Sequence, residues 1–418
     1  VSNPTKHGKV LFDTETNHAL ICQLYVPHAE SPGKKHGRLE IRSGGEDLSM
    51  DVELTVLNFT LPNKLSFVPE MNVYGKSIPL DTYEHYRMAH EHRTCINRLP
   101  YGWSGRPYLS PGISNFNFDW KDWDKKAGPL LDGSAFKGLP RDKEPVDVFY
   151  LPFNENWPVN IFDNYTPSYW ADQAFTSYYR QTLKRYFGLF AQHAKEKEWT
   201  DTIFQFYLNN KVYRRKNYKL NSAPWVFDEP LNTQDFLALR WYGLVWKEAV
   251  GQPKSDLKLW FRGDISNSEF KRDMLKGIMD IEYVGHSSIQ KTKMRNEEIH
   301  LWGKSYFAEY GTANPIISSN VQPAVWCLSA WTKGAMGVVP WQTIGQGQSW
   351  IKAEQTSLFY PHSRGPKASV RLKSFTRGQQ DVEYLVLAAK TLKVPLFRLR
   401  NWIKSQLAIQ DNVVITSA

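Results

Sequence analysis

The sequence predicts an α/β protein: a (β/α)8 TIM-like barrel over residues 63–418, preceded by a small β-sandwich-like module over residues 1–62. Three observations carry this. From residue 65 onward, eight short apolar runs alternate with longer stretches of helical periodicity. Before residue 62 the texture is strand-like, punctuated by Ser31-Pro32-Gly33 and Gly44-Gly45. No glycine-rich phosphate loop follows any of the runs, which weighs against a nucleotide-binding version of the alternative, a doubly wound open sheet.

Taken in order, 18–26, 38–41 and 51–59 read as the strands of the first module, whose first strand or strands are expected to be missing. The barrel strands are expected at 65–69, 94–99, 146–152, 202–208, 257–262, 279–284, 306–310 and 337–341. Helical patterns fall at 82–93, 168–197, 231–250, 268–277, 296–304, 321–333 and 375–392. In 168–197, Tyr179, Leu183, Tyr186, Phe187 and Phe190 make an apolar stripe at helical spacing. In 231–250, Phe236, Leu239, Trp246 and Val250 do the same, and Pro230 suits the mouth of that helix because its missing N–H would have had no partner there. Two stretches read as irregular, 100–145 with Trp103, Trp120 and Trp123, and 209–227. Long structureless segments in a domain are usually functional or disordered, and the aromatic content argues for ordered walls around a site. Asp280 and Glu282 alternate with apolar residues, so at least one is expected to face outward or enter a structural ion pair.

Composition narrows the class. At 418 residues the chain can bury a large core. With 16 Trp and 21 Tyr it suits either aromatic-lined grooves or aromatic core filling. A formal charge of +10 favours anionic surroundings, but the basic residues are scattered, against nucleic acid. The densest basic run, 211–219, includes Lys211, Arg214, Arg215, Lys216 and Lys219 and also holds Tyr213, Asn217 and Tyr218, as a functional loop would. Three distant cysteines, Cys22, Cys95 and Cys327, imply neither a disulfide framework nor a metal site. His85, His90 and His92 lack helical pair spacing and read as surface or packing residues. No metal and no cofactor is implied. No apolar run is long enough to span a membrane. A first residue Val1 leaves export open, and a secreted or periplasmic setting is the expectation.

In such barrels functional groups come from the carboxyl ends of the strands. Those ends give Glu70 and Asn72, Arg98 and Tyr101, Asn154-Glu155-Asn156-Trp157, Asn209 and Asn210, Arg262 and Asp264, Glu309, and Trp341. Any one of them could be an ion-pair or packing residue. Together they are polar, carboxylate-rich and aromatic, the mixture sugars need. Glycoside hydrolysis usually uses two carboxyl groups. Asp228 and Glu229, adjacent and just before a helix, fit a division of labour in which like charges keep one acid protonated near neutrality. The plain alternative makes Asp228 a helix cap and Glu229 a first-turn charge. Glu155 is the main rival carboxylate. No Gly-x-Ser-x-Gly nucleophile elbow appears.

The carboxyl-terminal third carries a resemblance. Gly334-Ala335-Met336-Gly337-Val338-Val339-Pro340-Trp341, then 357–361 (SLFYP), 369–373 (SVRLK) and 377–385 (RGQQDVEYL), occur in that order. The series resembles the end of the catalytic domain of glycoside hydrolase family 123 and its large uncharacterised relatives. Leu61-Pro62 followed by Pro69-Glu70-Met71-Asn72-Val73-Tyr74-Gly75 is similar to that family's sandwich-to-barrel junction. The resemblance implies a β-N-acetylgalactosaminidase-like enzyme working by substrate assistance, with Asp228 orienting the acetamide and Glu229 as general acid/base. Trp225, in the same stretch as the pair, joins the strand-end residues as a substrate-binding candidate. One departure stands out. The expected fourth strand ends in Asn209-Asn210, and the pair arrives only after the basic insertion, which would suit a sulfated or uronic glycan. Two further readings remain: Glu155 with another carboxylate acting on a non-acetamido polysaccharide, and a catalytically degenerate barrel that binds polysaccharide. Either way the partner is an oligo- or polysaccharide, neutral or anionic.

Overall fold

Eight parallel strands, interleaved with helices, organise the larger part of this chain. A computed structural model describes residues 21–43, 45–79, 81–102, 105–211, 223–251, 256–267, 270–285, 306–311, 316, 318–352 and 357–407. The chain divides into two compact units, Val1–Pro62 and Asn63–Ala418.

In the first unit the described residues form one antiparallel hairpin, β1 (Gly33–Ser43) with β2 (Glu46–Val56), paired from Gly33↔Val56 to Ser43↔Glu46. Leu48 and Met50 of β2 are exposed. A sandwich needs a second sheet against such a face. None occurs among the described residues, and of the expected first strand, 21–26 is irregular and 18–20 lies outside them.

The second unit contains β3 (Val68–Tyr74), α1 (Glu84–Glu91), β4 (Cys95–Leu99), the small hairpin β5 (Gly112–Ser114) and β6 (Asn117–Asp119), α2 (Lys121–Leu131), and β7 (Val148–Tyr150). It continues through α3 (Ser177–Glu196), β8 (Ile203–Tyr207), α4 (Thr233–Val250), β9 (Lys258–Asp264), β10 (Ile281–Gly285) and β11 (Tyr306–Gly311). It closes with α5 (Gln322–Thr332), β12 (Gly337–Pro340), the short pair β13 (Phe359–Tyr360) and β14 (Lys367–Ala368), α6 (Val370–Leu392) and α7 (Leu396–Gln406). All eight expected strands are present, in the order β4-β3-β12-β11-β10-β9-β8-β7. The first lies later than expected, at Val68–Tyr74.

Laid flat, that order would hold β4 and β8 roughly 29 Å apart, six strand spacings. Yet Asn97 Nδ2 of β4 lies 2.9 Å from Gln205 Oε1 of β8. The sheet is therefore curled until its ends approach. There the Tyr150 N–H of β7 donates to Asn97 Oδ1 at 2.8 Å, and the Cys95 thiol lies 3.6 Å from the Val148 carbonyl. Side chains thus replace a backbone ladder between these two strands. A cavity lined by Tyr86, Arg98, Trp123, Leu130, Phe149 and Tyr150 runs beside this seam, which explains the half-buried position of Arg98.

Strand alternation sorts the side chains. Phe204 and Phe206 of β8 face the helices, with Phe206 4.9 Å from Phe187 of α3 and 5.0 Å from Trp246 of α4. Gln205 and Tyr207 face the other way. On β3, Met71 and Val73 pack in the core while Glu70 and Asn72 point to the inside of the curl.

The stretch 100–145 departs from expectation. It contains α2, hidden from a pattern search by Gly128 and Pro129 within it, and Trp123 is 1 % exposed on that helix. Trp120 stacks on His193 of α3 at 3.9 Å. These rings fill the core; Trp103 lies outside the described residues. Turns occupy 270–278 where a helix was expected, and 296–304 is outside the described residues. Asp280 pairs with Lys247 at 2.7 Å, and Glu282 with the fully buried Lys271, so both serve as structural ion-pair partners. His90 stacks on Phe136 at 4.1 Å and His92 Nδ1 meets the Met88 carbonyl, which makes both packing histidines.

Candidate active site

Residues 223–230 return to the carboxyl ends of β8 and β9, and specific hydrogen bonds bring them there. The Asn210 carbonyl accepts from the N–H groups of Phe227 (2.7 Å) and Asp228 (3.1 Å). Its side-chain Nδ2 donates to the carbonyls of Ala223 (3.2 Å) and Trp225 (2.6 Å). The Glu229 N–H donates to the Asp264 carbonyl at 3.2 Å, tying the segment to the end of β9. On the far side the buried Asp235 carboxylate accepts from the N–H groups of Val226, Leu231 and Asn232. Asn232, with Asp235, caps α4 through a capping box, so Asp228 is not the cap. Glu229 has φ +58°, the left-handed region that non-glycine residues rarely occupy. Backbone strain of this kind, of order 1–3 kcal/mol, clusters at functional sites.

The pair is partly open to solvent, with side chains 17 % (Asp228) and 30 % (Glu229) exposed. Lys211 Nζ lies 2.7 Å from Glu229 Oε2 and 3.4 Å from Asp228 Oδ2. Ser266 Oγ approaches Glu229 Oε1 at 3.3 Å. Tyr207, the last residue of β8, favours the ionised form of the Asp228 carboxyl. Burial pushes the Asp228 carboxyl up; Lys211 pulls it down, and Glu229 pushes it up again. Asp264, at the end of β9, is driven well above the usual carboxylate range by burial and by Asp228 and Glu229, and its Oδ1 is buried without a hydrogen bond. Tyr74, at the end of β3, has its phenol pushed up to about 12 by desolvation and by Asp228. Burial works against the Lys211 ammonium, but Asp228 and Glu229 hold it above its ordinary range. Among the described residues, three acids thus gather around Lys211 at the strand ends.

The other expected site residues separate into groups. Glu70 and Arg262 are buried inside the curl and bound to each other at 2.5 Å. Asn97, Gln205 and Tyr283 also donate to Glu70, and the guanidinium lies over the rings of Tyr283 (3.5 Å), Tyr150 (4.5 Å) and Tyr207 (5.0 Å). This network faces inward and leaves neither charge for a ligand. Asn72 Nδ2 donates to the Trp341 carbonyl, and Trp341, 36 % exposed, meets Tyr74 edge to face at 5.8 Å. That aromatic pair stands beside the carboxylates through Tyr74. Arg98 Nε donates to the Gly75 carbonyl, and the buried Tyr101 hydroxyl donates to the Tyr207 carbonyl. Trp157 packs against Phe118 (5.8 Å) and Phe153 (5.6 Å), and Trp225 lies against Phe175 (5.1 Å) and Tyr165 (5.7 Å), so both rings are used in packing. Asn210 is the clamp described above. Asn209 is 4 % exposed with its Oδ1 unsatisfied. Glu309 lies on β11 between Val284 and Val338 of its neighbours; its side chain is outside the described residues. Of the basic insertion, Lys211 alone is described.

Glu155 is fully buried. Neither carboxyl oxygen has a hydrogen bond of ordinary geometry, and desolvation raises it to about 7, against weaker pulls from its own backbone and that of Asn209. Tyr179 fixes its backbone carbonyl at 2.7 Å. Tyr74, Tyr207 and Ser266 were not singled out from sequence. Both tyrosines end strands, so the strand-end rule finds them once the strand limits are placed correctly.

Among the described residues no group of three or more His, Cys, Asp and Glu is arranged to hold a metal, and no helix is long and apolar enough to cross a membrane. An adjacent Asp-Glu pair with a lysine and a tyrosine can hold and transfer a proton while keeping a second negative charge in place. The class this defines is an α/β protein with a parallel sheet and an acid cluster at its strand ends.

The sequence matches no protein-family model and no curated protein. By fold the chain is similar to a family 123 glycoside hydrolase from Clostridium perfringens that acts on glycolipid glycans. The TM-score is 0.54 at 13 % identity, over 88 % of this chain and 68 % of that one. A sugar phosphate isomerase/epimerase from Parabacteroides distasonis aligns with TM-score 0.35 at 9 % identity, over 75 % and 93 % of the two chains. A family 138 glycoside hydrolase targeting pectin rhamnogalacturonan II aligns with TM-score 0.31 at 9 % identity, over 85 % and 54 %.

Proposed function

We propose that this chain is a glycoside hydrolase related to family 123, with a (β/α)8 barrel over residues 63–418 following a β-sandwich module. Its substrate is a β-hexosaminide, cleaved with retention by substrate assistance. One observation carries the reading: the Asn210 clamp that sets Asp228 and Glu229 side by side at the strand ends. In this scheme Glu229 protonates the leaving oxygen while the substrate's acetamido oxygen attacks the anomeric carbon. Asp228 accepts a hydrogen bond from the acetamido N–H and steadies the positive charge of the oxazolinium. Glu229 then takes a proton from the water that opens the ring. Tyr74 and Trp341 supply an aromatic wall for a sugar face. Such a substrate goes with a secreted or periplasmic setting.

The test compares Asp228→Asn, Glu229→Gln and Glu155→Gln on aryl glycosides and oligosaccharides. Glu229→Gln is expected to lower kcat/KM by about 100-fold or more on substrates with poor leaving groups. A thiazoline mimic of the oxazoline is expected to inhibit. Undiminished turnover by the Glu229 variant removes the acid/base assignment, and absence of thiazoline inhibition removes substrate assistance. Glu155, as an acid at about 7, favours a second reading in which it works with another carboxylate on a non-acetamido sugar. A covalent glycosyl adduct on a glutamate would select that reading. Glycan binding without cleavage across the panel would leave a binding barrel.

A further inference from the structure

Lys211 follows β8 by four residues, and its side chain is 42 % exposed, so it isn't held there by packing. What holds it is charge: Glu229 Oε2 at 2.7 Å and Asp228 Oδ2 at 3.4 Å. The groups around this pair come from several elements. Asp228 and Glu229 precede α4, Arg262 and Asp264 lie on β9, Tyr207 ends β8 and Tyr74 ends β3. Glu155, beyond β7, is within electrostatic reach of Asp228. Apart from Lys211, Arg262 is the cation in this set, and it is engaged with Glu70. Among the described residues Lys211 is thus the cation that touches the pair, facing Asp228, Glu229 and Asp264.

The chemistry proposed above asks for opposite things from two neighbours: Asp228 charged and Glu229 carrying a proton. Adjacent carboxylates in a desolvated place resist the first demand, because each makes the other harder to ionise. We propose that Lys211 is the positioning residue of the pair, the cation that sets the pH range over which Asp228 and Glu229 together give up their protons. This rests on the glycosidase reading for its consequence, but not for its electrostatics. Lys211 favours the ionised form of both acids. Its removal therefore moves both ionisations in the same direction, to higher pH.

The experiment uses the full chain and the variants Lys211→Met and Lys211→Arg. In the pH profile of kcat/KM on an aryl 2-acetamido glycoside, Lys211→Met is expected to displace both limbs upward together by about one pH unit. Lys211→Arg is expected to keep the original limbs. A lysine that merely braced the loop would lower the rate with the limbs unmoved, and that result overturns the proposal. A second measurement needs no substrate. A carbodiimide with an amine couples to protonated carboxyl groups, and mass spectrometry of the peptide carrying Asp228 and Glu229 follows it against pH. Half-coupling is expected about one pH unit higher in Lys211→Met than in the parent. Equal coupling curves overturn the proposal whatever the activity. If no variant, parent included, cleaves any glycoside while the coupling curves differ, the glycosidase reading fails and the role of Lys211 stands.

Discussion

Two clusters of charged residues, one inside the curled sheet and one at its rim, use the same side-chain types to opposite ends. Inside, Glu70 has Arg262, Asn97, Gln205 and Tyr283 as donors, and the guanidinium is enclosed by tyrosine rings. At the rim, Asp228, Glu229 and Asp264 share Lys211, and an Asp264 oxygen goes without a hydrogen bond. A cluster whose two opposite charges are spent on each other is architecture. A cluster with more acid than it can satisfy is a place where protons can be exchanged, at some cost to folding.

The contrast can be broken most directly by removing each cation. Arg262→Met strands a buried carboxylate and is expected to cost about 3–5 kcal/mol in urea denaturation. Lys211→Met, at a partly exposed pair, is expected to cost under about 1 kcal/mol. Equal costs would erase the distinction between the clusters. Glu155 provides the next largest effect. Its folded pKa, raised to about 7, lies above the unfolded value, so the native state keeps a proton that the unfolded chain has already released. Stability contributed by this group is therefore present at low pH and falls as pH rises through about 7. Across that window the loss is on the order of 3 kcal/mol. Glu155→Gln is expected to remove that loss, seen as a smaller drop in the denaturation midpoint between acidic and alkaline buffers. A parallel decline in parent and variant would mean that Glu155 titrates as an ordinary surface acid. The smallest effect sharpens the rim alone: Asn232→Ala removes the side-chain cap of α4 and is expected to cost about 1 kcal/mol by thermal or urea denaturation. A cost near zero would mean that Asp235 alone secures the turn.

The eight strands were legible because alternation and apolar runs survive in a sheet covered by helices. The limits of β3 were not, since Glu70 and Asn72 sit on its inner face and interrupt the apolar signal. The same polar interior made Glu70 and Arg262 look like ligands for a substrate, when they are ligands for each other. Nothing in a linear pattern distinguishes those cases, because the partners come from six strands. Helix α2 was obscured by Gly128 and Pro129, residues that normally end a helix. The acidic pair was visible as adjacent carboxylates before a helix. The role of Asn210 was not, because its hydrogen bonds reach across the insertion to residues 223–228.

Asn97 joins the two halves of this picture. Its Oδ1 holds the Tyr150 amide across the seam, while its Nδ2 serves Glu70 and Gln205. Breathing that parts β4 from β7 therefore frees one end of a side chain whose other end serves the innermost salt bridge. Water admitted along that line would meet Glu70 and Arg262 first, which makes the Tyr150 amide a sentinel whose hydrogen exchange reports on the integrity of the whole interior.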